Sequence, residues 1–142
     1  MLVLLASCGE YNKILKSSDR DVKYTYAKKY FQEGKYSRSI TLLEDLIHFF
    51  KGTDKAEESL YLLGQSYYNS KDYLSATEIF STYHNTYPRG EYAESALFYA
   101  AYGMYLDSPE PRLEQSKTYK AISEFQKYMD EFEKVTGRKY KL

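Results

Sequence analysis

Residues 60–80 read LYLLGQSYYNSKDYLSATEIF, and residues of the same kinds stand 37 positions earlier in the chain. The paired positions are Gly64 with Ala27, Tyr67 with Tyr30, Tyr73 with Tyr36, Ala76 with Ser39 and Phe80 with Leu43. A small residue stands at the same position a third time at Ala101, again 37 residues after Gly64. A fixed period of this length is typical of stacked helical repeats. The sequence therefore predicts a repeat protein, a class that binds peptides or proteins in grooves and usually performs no chemistry.

Each repeat contains two segments in which apolar and aromatic residues recur at helical spacing. The first predicted helix lies within residues 19–33 and ends at Gly34, and the second ends at Gly52. Thr53 and the acidic residues after it are typical of a helix N-terminus, with the Thr53 side chain as the predicted cap. Two prolines within residues 107–114 predict an inserted loop in the third repeat, because proline cannot continue a helix.

The second repeat, counted from Glu57, resembles the tetratricopeptide-repeat motif at nearly every defining position. The matching residues are Leu60, Leu63, Gly64, Tyr67, Tyr73, Ala76, Phe80 and Pro88. The resemblance implies an all-α solenoid of three antiparallel helix pairs, at about residues 20–53, 57–90 and 94–135 of a domain spanning 19–142. Small residues at Gly64 and Ala76 fit the place where the two helices of a pair cross closely.

Composition argues against several other classes of function. The 20 basic residues equal the 20 acidic ones, whereas nucleic-acid binding normally needs a basic face. His48 and His84 have no cysteine or paired carboxylate at metal-ligand spacing. The sequence contains no Ser-His-Asp set, Gly-rich phosphate loop or Cys-x-x-Cys motif. We therefore predict no catalytic residue, no metal, no cofactor and no nucleic-acid partner, and expect that the protein is not an enzyme.

The chain begins MLVLLASC, an apolar run that ends in small residues and the single cysteine, Cys8. This segment resembles the end of a bacterial lipoprotein signal, in which the cysteine thiol receives a diacylglyceryl group and the preceding peptide is removed. Residues 1–8 are then a signal remnant and residues 9–18 a linker. Gly9 is not the Asp that favours retention in the inner membrane of enteric bacteria, so the resemblance implies the outer membrane. The alternative is an apolar helix start with an incidental cysteine.

The lipoprotein signal followed by repeats of this length resembles the BamD family, the lipoproteins of the outer-membrane β-barrel assembly machinery. Three parts of the chain fit that family: residues 55–68, residues 83–88 and the inserted loop. The high tyrosine content suggests a Bacteroides-like version. The resemblance implies a lipid-anchored scaffold at the periplasmic face of the outer membrane. Its expected partners are the β-barrel assembly subunit, other assembly lipoproteins, unfolded outer-membrane proteins and the membrane itself. Because the family usually carries more repeats, we expect the N-terminal part of a longer superhelix.

In tetratricopeptide repeats the first helix of each pair lines the concave face. The residues at its groove-lining positions are Tyr24, Tyr61 and Phe98 at position 5, Lys28, Gln65 and Tyr102 at position 9, and Phe31, Tyr68 and Tyr105 at position 12. We hypothesise that this groove accepts an extended segment with an aromatic end, whose terminal carboxylate pairs with Lys28. The alternative is that position 5 packs on the neighbouring helix and only position 12 is exposed.

Two other functions remain open at this stage. A different periplasmic repeat lipoprotein could act as a cell-envelope or division adaptor, and co-purification with a barrel-assembly subunit would separate it from the first hypothesis. An enzyme could also use the repeats as a docking arm, which would require a catalytic domain beyond residue 142.

Overall fold

The computed structural model describes residues 3–108 and 115–137, and within them every regular element is an α-helix. The helices are α1 Val3–Leu15, α2 Arg20–Gln32, α3 Tyr36–Ile47, α4 Asp54–Asn69, α5 Tyr73–Thr86, α6 Ala93–Leu106 and α7 Ser116–Thr136. Each helix packs chiefly on the next one along the chain, and α4 also touches α2 and α6. The predicted all-α solenoid of three helix pairs, α2–α3, α4–α5 and α6–α7, is confirmed.

Three turns between helices contain a residue with positive φ, and at two of them the sequence predicts this by its glycine. Gly34 and Gly52 adopt φ values of 71° and 83°, where a side chain is disfavoured. Lys71, which stands 37 residues after Gly34, has φ 67° in the equivalent turn of the second repeat. The predicted cap at Thr53 is wrong in detail, because its hydroxyl donates 2.7 Å to the Phe50 carbonyl rather than accepting from a helix N–H.

The helices of a pair meet closely where small residues stand. A Cβ added to Gly64 would lie 2.7 Å from Cε1 of Phe80, so only glycine fits against that buried ring. In the first pair, the buried Ser39 hydroxyl donates a hydrogen bond of 3.0 Å to the carbonyl of Ala27. These contacts hold both helix pairs at short range, as the small residues in the motif predicted.

The segment before the first repeat differs from the linker predicted over residues 9–18. Helix α1 continues to Leu15, and Ile14 is buried among Ala27, Tyr30 and the second helix of the repeat. An apolar side chain aimed at the core makes this helix part of the fold, because burying it removes its surface from water.

Two further predictions concern loops and membranes. Of the predicted inserted loop at residues 107–114, only Asp107 and Ser108 belong to the described residues, so most of that prediction lies outside them. Within the part of the chain that the structure describes, no helix is both long and apolar enough to cross a membrane.

We predict that Gly64→Ala destabilises the protein by about 1–3 kcal/mol, because the new methyl group forces the Phe80 ring or the helices apart. Urea unfolding followed by circular dichroism measures the change. The matched control is Gly9→Ala, since a Cβ at that helical glycine meets nothing within 4 Å. Equal stabilities for Gly64→Ala and the parent protein would contradict the close-crossing argument.

Candidate functional site

Position 5 of the first two repeats lies between repeats rather than in an open groove. The Tyr24 side chain is only 8% exposed, meets Phe50 edge-on at 5.5 Å and donates its hydroxyl to the Glu58 carboxylate. The Tyr61 ring stacks on Tyr92 at 4.3 Å between centroids. Tyr24 as a groove residue is therefore corrected: its ring and hydroxyl are both engaged within the fold.

Lys28 also differs from its predicted role. Its ammonium nitrogen lies 2.6 Å from Oε1 of Glu58, the same carboxylate that accepts from Tyr24. Burial opposes ionisation of Glu58, but the bonds from Lys28 and Tyr24 outweigh it and lower the pKa of this carboxyl below its usual value. Glu58 is therefore the partner of Lys28 within the fold, and a terminal carboxylate would have to compete with it for the lysine.

The structure brings four of the predicted groove residues together into one surface. We define the α4–α6 aromatic surface as Tyr68, Phe98, Tyr102 and Tyr105. Along α6 the ring centres of Phe98 and Tyr102 lie 5.7 Å apart, with 28° between their planes. Those of Tyr102 and Tyr105 lie 6.1 Å apart and their planes are nearly parallel, at 11°. Tyr68 reaches this row from α4, 6.3 Å from Tyr102. Tyr105 is 55% exposed, so the row opens to solvent at that end.

The other two predicted residues do not join this surface. Phe31 is half-buried and meets Tyr36 of its own repeat at 5.7 Å. The Gln65 amide donates a hydrogen bond of 3.0 Å to the hydroxyl of Tyr61, so Gln65 supports the tyrosine that stacks on Tyr92. The predicted ladder across all three repeats is therefore confined to the second and third repeats.

Two further aromatic residues contact the aromatic surface, and sequence reasoning assigned neither of them to the site. Tyr99 meets Tyr68 edge-on at 4.9 Å and stacks on Phe80 at 5.4 Å. Phe125 of α7 lies 6.1 Å from Phe98. Phe125 fits the repeat motif as a core position, but the motif carries no signal for Tyr99.

Glu57, one of the acidic residues that the sequence places near the N-terminus of α4, binds across elements. Glu57 accepts from the Tyr83 hydroxyl and, at 2.7 Å, from the backbone N–H of Glu91. The Tyr83 hydroxyl accepts in turn from the backbone N–H of Tyr92 at 3.0 Å. This network fixes the connection between the second and third repeats, and hence the position of α6 and its aromatic row.

Tyrosine hydroxyls in these bonds resist ionisation. Burial, followed by the bond to a carboxylate, raises the pKa of Tyr83 above its usual value, and the same causes act on Tyr24 and Tyr67. A pKa raised in the folded state gives stability that is fully present below the unfolded value of about 10 and is lost as pH rises through the folded value.

We therefore predict that the free energy of unfolding falls as pH rises above about 10, and falls less steeply in Tyr83→Phe. At neutral pH, Tyr83→Phe destabilises by about 1.5–3 kcal/mol, because Glu57 loses a partly buried hydrogen bond. Urea unfolding at several pH values measures both effects. Tyr119→Phe is the matched control, since the Tyr119 side chain is 66% exposed. An unchanged stability of Tyr83→Phe at neutral pH would refute the assignment.

Among residues 3–108 and 115–137, no group of three or more His, Cys, Asp and Glu side chains is arranged to hold a metal ion.

The fold and these contacts define a helical-repeat solenoid with an aromatic surface on its second and third repeats. Residues 16–135 match the YfiO family, described as outer membrane lipoprotein, and the chain belongs to this family. A comparison with curated proteins finds no match. Membership supports the predicted association with the outer membrane. The matched residues begin after Cys8, so lipidation at Cys8 stays a prediction.

Proposed function

We propose that this protein is a lipid-anchored scaffold of the outer-membrane β-barrel assembly machinery. Acylated Cys8 holds it at the periplasmic face of the outer membrane. It binds unfolded outer-membrane proteins and contacts the barrel-forming subunit and other assembly lipoproteins. Its work is binding and not catalysis. Membership of the outer membrane lipoprotein family supports this function, together with the aromatic surface on its helical repeats.

The observation that carries the proposal is the spacing of the α4–α6 aromatic surface. Side chains on one face of an extended segment recur at about 6.6 Å, twice the rise per residue. The rings of Phe98, Tyr102 and Tyr105 recur at 5.7 and 6.1 Å. Alternate side chains of an extended segment can therefore sit over successive rings. Tyrosine also provides a large rigid contact and a hydroxyl that can bond a peptide backbone.

The charges at the groove indicate which chemical class of segment it can bind. The one lysine of the predicted groove is held by Glu58, and the rings of the aromatic surface carry no formal charge. Recognition on this surface therefore depends on aromatic and apolar side chains of the bound segment, and its terminal carboxylate contributes little.

We predict that the double variant Tyr68→Ala, Tyr105→Ala weakens binding of an extended peptide with alternating aromatic residues by about tenfold to a hundredfold. Each buried aromatic contact costs about 1 kcal/mol or more when it is truncated. Fluorescence anisotropy with the labelled peptide measures the affinity. The peptide with an amidated C-terminus should bind about as well as the free acid.

The matched control is Tyr119→Ala, which removes an exposed ring from α7 outside the aromatic surface and should leave affinity intact. Circular dichroism verifies that each variant folds. A folded double variant that binds the peptide like the parent protein would eliminate this surface as the site.

Capture from the native outer membrane tests the assembly role. The full-length protein carries a C-terminal tag, and its intact mass is measured after purification. We expect a chain that begins at acylated Cys8 and co-elutes with a barrel-assembly subunit. Acylation without that subunit would favour a cell-envelope or division adaptor, and an unacylated chain beginning at Met1 would refute the lipid anchor.

A further inference from the structure

The helix that carries Cys8 is held on the first repeat by polar contacts and by burial. The Glu10 carboxylate accepts a hydrogen bond of 2.8 Å from the Tyr26 hydroxyl and lies 3.8 Å from the Lys29 ammonium nitrogen. One turn further along α1, Ile14 is only 7% exposed and packs in the same cluster as Ala27. These contacts join α1 to α2 at two successive turns.

Aromatic contacts fix the direction of α1. The Tyr11 ring meets the Tyr30 ring edge-on at 5.7 Å, and the Arg38 guanidinium lies 4.9 Å from the Tyr11 ring centre. Tyr30 is near the end of α2 and Arg38 near the start of α3. Helix α1 therefore runs antiparallel to α2, and its N-terminal end points toward the turn between α2 and α3.

The distance from Cys8 to these contacts is short. Tyr11 follows Cys8 by three residues, a rise of about 4.5 Å along the helix. Glu10, Tyr11 and Ile14 all come after Cys8, so removal of the residues before it leaves the contacts in place. After α1 ends at Leu15, a short turn leads into α2. In this turn the Asp19 N–H donates a hydrogen bond of 3.1 Å to the Ser17 hydroxyl oxygen.

We infer that α1 is a rigid strut that orients the solenoid on the lipid surface. The inference rests on the proposed lipid anchor at Cys8. We define the turn edge as the α2–α3 and α4–α5 turns, residues 33–35 and 70–72. Acyl chains on Cys8 enter the bilayer, so the helix packed on α2 brings the turn edge at the first repeat against the lipid headgroups. The opposite edge, which contains the α3–α4 connection at residues 48–53, faces away.

A pair of probes on one repeat tests this orientation. Ser37 stands at the start of α3 and Lys51 just beyond its end, and both are exposed. Helix α3 has 12 residues and is therefore about 18 Å long. The full-length protein is purified from the outer membrane as Ser37→Cys or Lys51→Cys, labelled with a maleimide donor and reconstituted into phosphatidylethanolamine–phosphatidylglycerol vesicles. The acceptor is attached to the lipid headgroups.

Energy transfer reports the distance of each probe from the bilayer. If α3 stands upright, the Ser37 probe lies up to about 18 Å closer to the headgroups than the Lys51 probe. Equal transfer from the two positions, or stronger transfer from Lys51, would overturn the proposed orientation. Both probes lie on the same repeat and depend on the same anchor. Differences in how the protein inserts into the vesicles therefore affect the energy transfer from both probes alike.

Two controls separate the anchor from the strut. Cys8 is the only cysteine of the parent chain, and acylation consumes its thiol, so the parent should take up no maleimide. Labelling of the parent would refute the lipid anchor itself. The variant Tyr11→Ala, Ile14→Ser loosens α1 while keeping Cys8, and it should abolish the difference between the probes. A difference that persists in a folded variant would refute the role of α1 packing.

Discussion

The close crossing of two helices at a residue without a side chain is the constraint on which this fold depends. At Gly64 the Phe80 ring occupies the space that a Cβ would need, and the Phe80 side chain is fully buried there. Close packing at the crossing brings the apolar stripes of α4 and α5 together, which supplies the core of the second repeat. The other repeats build on that pair from both sides, because each helix packs on its neighbours in sequence.

Tyrosine serves two different purposes in this chain, and the contacts of its hydroxyl distinguish them. Tyr24 and Tyr67 donate to carboxylates across the boundary between the first and second repeats, on Glu58 and Glu44 respectively. A hydroxyl that is partly withdrawn from water is stabilised by such a partner, and a carboxylate is a strong one. Tyr105, by contrast, is exposed and contacts Tyr102 face to face. The high tyrosine content is therefore partly structural, and only the exposed rings are available to a ligand.

The sequence predicted the helices and the crossing residues, because a repeat imposes the same packing on each copy. It could not decide how position 5 is used, since that depends on the residue which faces it in the next repeat. Tyr24 meets Glu58, a residue 34 positions away that no rule for a single repeat addresses. Helix α1 was missed for a related reason. Glu10, Tyr11 and Ile14 are explained only by their contacts with Tyr26, Tyr30 and Ala27, and they lie outside the repeats that supply the pattern.

The aromatic surface and the strut are related through the ends of the helices. Tyr68 is the second-last residue of α4, and Tyr105 is the second-last residue of α6. Both rings therefore lie at the ends of α4 and α6 that lead into the turns within their repeats, and the α4–α5 turn belongs to the turn edge. An anchor that directs the turn edge toward lipid brings the open end of the aromatic surface to the membrane side of the molecule. An extended segment held there would lie beside the bilayer that an outer-membrane protein must enter.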